Sequence, residues 1–329
     1  MERLIFFLPL ERIKERYSDQ WFRWFTRDFK KLKGIKIITV PKRPQTQRIR
    51  HGEWLDVYGT NMFKAVQTAM LVRLLQRFYG ASTLKNPITV FFMDLWHPGL
   101  TALLYIRDNI PYPMKIKGIL HAGSYSPGDM LNRNCEEWCI PQERAWFNQV
   151  DEIFVGSKWH KDYLSDVVTD QDKVMVVKFP VYTNDRLRNN TPKEDIVVFP
   201  NRFDPERQHG NFKIMESTFL MKYPKDRHVK FLCSHEVCKT KKEYYKLLAR
   251  AKVVVTCPQN ENFGIAVKEA QNLGARAVVP NKFAYKEFPA VKYVNLDDAV
   301  WLIHTCLHNK LKPPMSGFTS DTMDIIRRI

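Results

Sequence analysis

No stretch of this sequence reaches the roughly 18 uninterrupted apolar residues of a membrane-spanning helix. The most apolar long segment, ITVFFMDLWHPGLTALLYI (88–106), is interrupted by Asp94, His97 and Pro98. The opening MERLIFFLPLERIKER has an apolar run too short for a secretory signal and lacks a small-residue cleavage site, so a soluble, cytoplasmic protein is expected. Cysteine is sparse: six residues without regular spacing point to reduced thiols in a cytosol. Cys135/Cys139 and Cys233/Cys238 match no standard zinc pattern and are expected to be buried or idle thiols rather than ligands. Internal repeats and low-complexity tracts are absent as well.

Acidic residues are also short, 35 against 52 Lys and Arg, which leaves a net charge of +17. Such an excess speaks to partners rather than to fold, and admits acidic polymers, phosphorylated ligands and anionic membranes. It is unevenly placed: residues 1–50 hold 14 basic against 5 acidic side chains, a net of +9, while residues 101–150 hold 5 of each.

What is present is enough for two cores. A chain of 329 residues, 44% hydrophobic and 13% aromatic, suits two domains of about 150 residues and excludes disorder. Short apolar β-branched runs at 3–8, 35–40, 88–93, 115–120, 152–157 and 174–179 read as buried strands. Helical patterns around 18–33, 59–80, 98–109, 137–149 and 158–166 alternate with them. The polar stretch 180–195 reads as a linker. A second alternation follows, with strands in IVVFPN, VKFLCS, KVVVTC, ARAVVP and KYVNL and helices at 211–222, 240–250, 263–273 and 297–308. Strand–helix alternation means doubly wound parallel sheets. The expected architecture is α/β, two Rossmann-like domains (1–182 and 183–329) facing an interdomain cleft, with chemistry in the loops beyond the carboxyl ends of the strands.

One such loop carries the clearest chemical signal. In ENFGIAVKEAQNLG (261–274), Ile265, Glu269 and Leu273 fall on one helical face, which Ala266 and Ala270 widen, while Lys268, Gln271 and Asn272 should point away. A carboxylate in a semi-buried stripe needs donors, and a ribose diol offers two. Glu261, just before the helix, could take a hydroxyl of a second sugar. The helix-start amides of Phe263, Gly264 and Ile265 should be unpaired and favour anions. The plainer alternative is that Glu261 complements the helix dipole and Glu269 pairs with an arginine.

The same segment resembles the Glu-x7-Glu signature of retaining glycosyltransferases of the GT-B fold, family 4 in particular. There Glu-x-Phe-Gly-x4-Glu-Ala is followed by a glycine and a valine-rich strand, as in ENFGIAVKEAQNLGARAVVP here. The resemblance implies that Glu261 contacts the transferred sugar and Glu269 the ribose of a nucleotide-sugar donor, a UDP-sugar such as UDP-glucose. FPNRFDPERQHGNFKIMESTF (199–219) is similar to the family's diphosphate-gripping segment, with Arg202 and Arg207 on the two cation positions. Pro200 and Asn201 stand where the family has glycines, and Arg207 where it has lysine. Guanidinium groups there would offset charge growing on the departing nucleotide.

In the first half, His121 ends the strand KIKGIL, and Gly123 and Gly128 should make its loop pliable. The resemblance implies that this histidine faces the donor sugar. Asp94 and His97, at the end of ITVFFMDLWH, are candidates near the acceptor. VDEIFVGSKWHKDYL (150–164) also resembles a segment following the family's site. The family's glycine pair after the first strand is missing from LPLERIKERYSDQW, so side chains should do that work. No Asp-x-Asp lies at a strand end, and no metal requirement is expected.

Two basic features bear on the acceptor. In DQWFRWFTRDFKK, Trp21, Phe25 and Phe29 form a core stripe, opposite Arg23, Arg27, Lys30 and Lys31. The loop PKRPQTQRIRHGEW (41–54) carries Lys42, Arg43, Arg48, Arg50 and His51, a pattern suited to a phosphate backbone, and Trp54 could stack on a base. Bacteriophage DNA-modifying glucosyltransferases share this fold type, size and basic character. A hydroxylated base in DNA is therefore the favoured acceptor, in a host cytoplasm if phage-encoded. A glycan, lipid or protein acceptor is the alternative, and a non-catalytic nucleic-acid-binding protein on the same fold is the reading of another class.

Overall fold

The computed structural model describes residues 3–41, 46–47, 56–126, 128–201, 208–309 and 322–329. They form two compact units, each with its own sheet: one spans 1–156, 160–180 and 321–329, the other 157–159 and 181–320. Among the described residues no helix is long and apolar enough to cross a membrane.

The first sheet contains β1 (Arg3–Leu8), β2 (Ile35–Thr39), β3 (Ile88–Phe92), β4 (Met114–Ile119), β5 (Glu152–Val155) and β6 (Val174–Val176). All pairings are parallel and the spatial order is β2-β1-β3-β4-β5-β6. Parallel strands covered on both faces read as continuous apolar runs, which is why RLIFFL and ITVFF are legible. Alternation splits their side chains between two layers. Phe7 meets Phe25 and Phe29 of α1 (Tyr17–Phe29), whereas Phe6 and Phe92 join Leu71 and Leu75 of α2 (Val57–Arg77) in the opposite layer. Trp21, Phe25 and Phe29 are all buried, as their spacing predicts. α3 (Gly99–Asn109) and α4 (Met130–Gln149) complete that opposite layer. α4 starts earlier than the sequence pattern indicates, because Asp129 caps it and its first turns run through a kink at Cys135. The short helix α5 (Lys158–Tyr163) follows β5.

The expected boundary at 182/183 leaves out a return of the chain. The segment 322–329 belongs to the first unit, where the Thr322 hydroxyl donates to buried Asp28, Lys117 donates to the Arg328 carbonyl at 2.7 Å, and Asp324 accepts from the Lys178 amide at 3.0 Å.

The second sheet has β7 (Glu194–Phe199), β8 (Lys230–Cys233), β9 (Ala251–Val255), β10 (Arg276–Pro280) and β11 (Val291–Tyr293), parallel, in the order β8-β7-β9-β10-β11. α6 (His209–Lys222) and α9 (Leu296–Leu307) pack on one face; α7 (Lys241–Arg250) and α8 (Ile265–Asn272) pack on the other. In both sheets the first strand sits between the second and third, so connections leave it in opposite directions. That reversal opens a crevice beyond the carboxyl ends of β1 and β3, and likewise of β7 and β9.

Candidate functional site

Each crevice is lined by named polar side chains. In the first unit α2 begins at the carboxyl edge of the sheet and turns Thr60, Lys64 and Gln67 inward, one helical face whose continuation is Leu71 and Leu75. The Thr60 hydroxyl donates to Glu11 Oε1 at 2.8 Å, and Glu11 Oε2 is buried with no hydrogen-bond partner among the described residues. Lys64 Nζ donates to the Trp96 carbonyl at 2.5 Å and lies 3.9 Å from Asp94 Oδ2. Gln67 donates to the carbonyls of Pro9 (3.0 Å) and Val40 (2.6 Å). Glu11, Lys64, Gln67 and Asp94, with Leu8, Pro9, Leu10, Phe63 and His97, line a hollow of ≈ 10 Å³, room for about one water molecule.

His97 lines this hollow but its ring is committed to the protein. Nδ1 accepts from the Gly99 amide at 3.0 Å, so Nε2 carries the proton shared with Gln67 Oε1 at 3.0 Å. Burial, and then the charge of Lys64, push its pKa down to about 3, and it is neutral at physiological pH. His121 sits at the end of β4 and donates from Nε2 to the Met93 carbonyl at 2.8 Å, its ring packed against Trp21, Tyr17 and Phe179. Burial lowers its pKa, opposed by Asp94 and by the bond to Met93.

The loop after His121 is anchored at Ser124. Glu143 of α4, fully buried, accepts from the Ser124 amide (2.8 Å) and hydroxyl (2.7 Å) and from the Trp96 indole (2.8 Å). One carboxylate thereby ties the loop carrying His121 to the loop carrying Asp94 and His97. Gly123 is required for room: a Cβ there would overlap the Tyr125 ring and lie 2.9 Å from Glu143.

In the second unit, Asn201 follows β7 and accepts from the Thr256 hydroxyl, just beyond β9, at 2.6 Å. α8 opens with Gly264 at φ +70, and its backbone approaches Phe288 and Tyr285 so closely that a Cβ would fall 2.5 Å and 2.8 Å from them. Glu261 Oε1 accepts from the amides of Phe263 (3.1 Å) and Gly264 (2.8 Å), and the Tyr285 hydroxyl lies 3.4 Å from Oε2. The expectation of unpaired amides is thus corrected at two of the three positions: an internal carboxylate occupies them, as a helix start favours. The residue that follows, Ile265, is the first of the helix.

Glu269 is 1% exposed and receives Lys241 Nζ on both oxygens (2.7 and 2.9 Å) and the Tyr245 hydroxyl at 2.8 Å. The cation that offsets its burial is a lysine of α7 rather than an arginine. Lys268 and Gln271 do not point away: both are buried, because Tyr285, Phe288 and Pro289 cover that side of the helix. Lys268 Nζ lies 3.6 Å above the Phe263 ring and 4.8 Å from that of Phe288. Burial depresses its pKa from 10.5 to about 7, against the pull of Glu261 and Glu287. The Ser157 hydroxyl donates to the Asn262 carbonyl at 2.7 Å, beside Glu261.

Arg202 and Arg207 lie outside the described residues, as do Lys42, Arg43, Arg48, Arg50 and Trp54. Sequence reasoning missed Glu11, Lys64, Gln67, Glu143, Lys241 and Lys268. A usable signal existed for Glu143, which stands in line with Cys139, Trp146, Phe147 and Val150, an acid in an apolar stripe like Glu269.

No protein-family model matches the sequence, and no curated protein matches it. Solved structures do. A sucrose-phosphate synthase from Thermosynechococcus elongatus aligns with 94% of this chain and 90% of its own, at 13% identity and a TM-score of 0.62. An α,α-trehalose-phosphate synthase (UDP-forming) from Burkholderia vietnamiensis aligns over 95% and 92%, at 12% identity and a TM-score of 0.61. HepE from Anabaena, solved in complex with UDP and glucose, aligns over 95% and 92%, at 11% identity and a TM-score of 0.59. At such identities the likeness carries the fold: an α/β chain of the GT-B type with two Rossmann-like units.

Proposed function

We propose that this protein is a retaining glycosyltransferase, similar to family 4, that moves a sugar from a UDP-sugar to an acceptor hydroxyl. The observation that carries this reading is that Glu261 just precedes α8 and Glu269 lies within it, in a helix that starts at the carboxyl edge of the second sheet. The fold is shared with a structure solved with UDP and glucose. Glu261 orients the donor sugar and Glu269 anchors the ribose, which must share its carboxylate with Lys241 and Tyr245. Because Glu261 already holds the Phe263 and Gly264 amides, the charge of the departing diphosphate falls mainly to the side chains of Arg202 and Arg207. Neutral, and with its Nε2 proton given to the Met93 carbonyl, His121 acts toward the sugar as an acceptor rather than as an acid. No step in this scheme calls for a metal.

A hydroxylated base in DNA is the acceptor this reading favours, in a bacteriophage DNA-modification role within the host cytoplasm. Its support is the net charge of +17 and the concentration of basic residues before position 51, including Lys42, Arg43, Arg48 and Arg50. Asp94, His97 and Trp54 belong to the same acceptor side. The test is thermal unfolding of the full chain with a panel of nucleotide sugars, with and without hydroxymethylated duplex DNA, followed by product analysis. A UDP-sugar at 100 times its Kd should stabilise by about 2.7 kcal/mol. Slow hydrolysis of that sugar nucleotide should fall at least about 100-fold in Glu261→Ala and Arg202→Ala. Transfer only to glycan, lipid or protein would replace the DNA acceptor. No response to any sugar nucleotide would leave the non-catalytic nucleic-acid-binding reading.

A further inference from the structure

At the opposite edge of the second sheet, three ligand-type side chains converge that the transfer reaction does not use. α6 and α9 run back from the carboxyl edge, so their last turns lie at the amino-terminal ends of the strands. His304 and His308 occupy the end of α9 at i and i+4, one face of the helix. Asp226 sits in the short 3-10 turn Pro224–Asp226 that follows α6 and leads into β8. Both imidazoles aim Nε2 at the same oxygen, Asp226 Oδ2, at 3.3 Å from His304 and 3.0 Å from His308. All three ligand atoms lie within 4.8 Å of one another.

We propose that Asp226, His304 and His308 form a binding site for a divalent transition metal of the zinc type. Zinc–nitrogen and zinc–oxygen bonds of about 2.0–2.1 Å place neighbouring ligand atoms of a tetrahedron about 3.3 Å apart. The two Asp–His separations already match that edge. Two imidazoles and one carboxylate select zinc, cobalt or nickel over magnesium or calcium, which call for more oxygen ligands. The Tyr223 ring stacks on His304 at 3.8 Å with an interplanar angle of 8°, which holds that imidazole in its ligating orientation. Asp226 is buried, while the His308 side chain is 42% exposed and leaves a side open to a water as fourth ligand. Bound there, the metal clamps the turn before β8 to the last turn of α9. Its role is structural and does not depend on the proposed sugar transfer. Among the described residues this is the one cluster of three His, Cys, Asp or Glu side chains so placed.

The test is titration of chelator-treated full-length protein with Co²⁺, followed by displacement with Zn²⁺. Expected are one equivalent of bound cobalt, d–d bands without thiolate-to-cobalt charge transfer, and a rise in the unfolding temperature with Zn²⁺. His308→Ala, exposed enough to leave the fold intact by circular dichroism, should lower metal affinity at least about 100-fold and abolish the thermal shift. His304→Ala should do the same. Absence of stoichiometric binding to the wild type, unchanged binding in His308→Ala, or a thiolate charge-transfer band that assigns the metal to cysteines would each overturn the proposal.

Discussion

At the residue scale, the buried charges of this protein do different work in the two units. Glu143 has no solvent contact and holds together two loops of the first crevice through Ser124 and Trp96. Glu143→Ala leaves the Ser124 amide, the Ser124 hydroxyl and the Trp96 indole without their acceptor. The expected cost is about 2–3 kcal/mol in urea unfolding, with a fall in transfer activity as the His121 and Asp94 loops lose their common anchor. Lys268 is a lysine held mostly out of water between Phe263 and Phe288, its pKa lowered from 10.5 to about 7. Between those values the unfolded chain binds a proton that the folded chain does not, so stability rises with pH across that window. Lys268→Met should flatten the rise, seen by comparing unfolding midpoints at about pH 7 and about pH 10. It should leave the protein at least as stable as the wild type at the lower pH.

At the element scale, α8 is only eight residues long, and its start depends on backbone that no other residue can supply. Gly264 combines a left-handed φ with a tight packing that excludes a side chain. Gly264→Ala should destabilise by at least about 2 kcal/mol and displace Glu261 from its two amides, abolishing donor-induced thermal stabilisation. Gly210→Ala is the control: among the described residues nothing outside its own helix backbone and chain neighbours lies within 4 Å of its Cβ position in α6, and stability should rise by about 0.5 kcal/mol. α8 also shows where periodicity misleads. Ile265, Glu269 and Leu273 share a face as their spacing requires, but the helix is enclosed on a second side by Tyr285 and Phe288. Lys268 and Gln271, polar and off the stripe, are therefore buried too. A short helix reads as amphipathic in sequence even when distant residues cover its polar side.

At the scale of the whole molecule, the charge surplus bears on the proposed DNA acceptor. Each phosphate neutralised contributes about −0.9 to the slope of log K against log salt, so duplex DNA binding should weaken with a slope of about −4 or steeper. Replacing Lys42, Arg43, Arg48 and Arg50 together with alanine should reduce that slope by about one for each phosphate no longer neutralised, with UDP-sugar binding unchanged. A slope near zero in the wild type would remove the physical basis of the DNA acceptor.

The sequence by itself determined the class of fold. Parallel strands buried on both faces must be continuous apolar runs, so RLIFFL, ITVFF and KVVVTC announce themselves without any knowledge of their neighbours. Glu269 declared itself because an acid in an apolar stripe demands an explanation. Only the tertiary structure decided what answers such charges: Lys241 and Tyr245 for Glu269, Ser124 and Trp96 for Glu143, two helix-start amides for Glu261. It also returned the last residues to the first unit and brought Asp226 to His304 and His308. Periodicity is set by the local backbone and survives in the sequence. Partnership across tens or hundreds of residues depends on how the elements pack, and no local pattern encodes it.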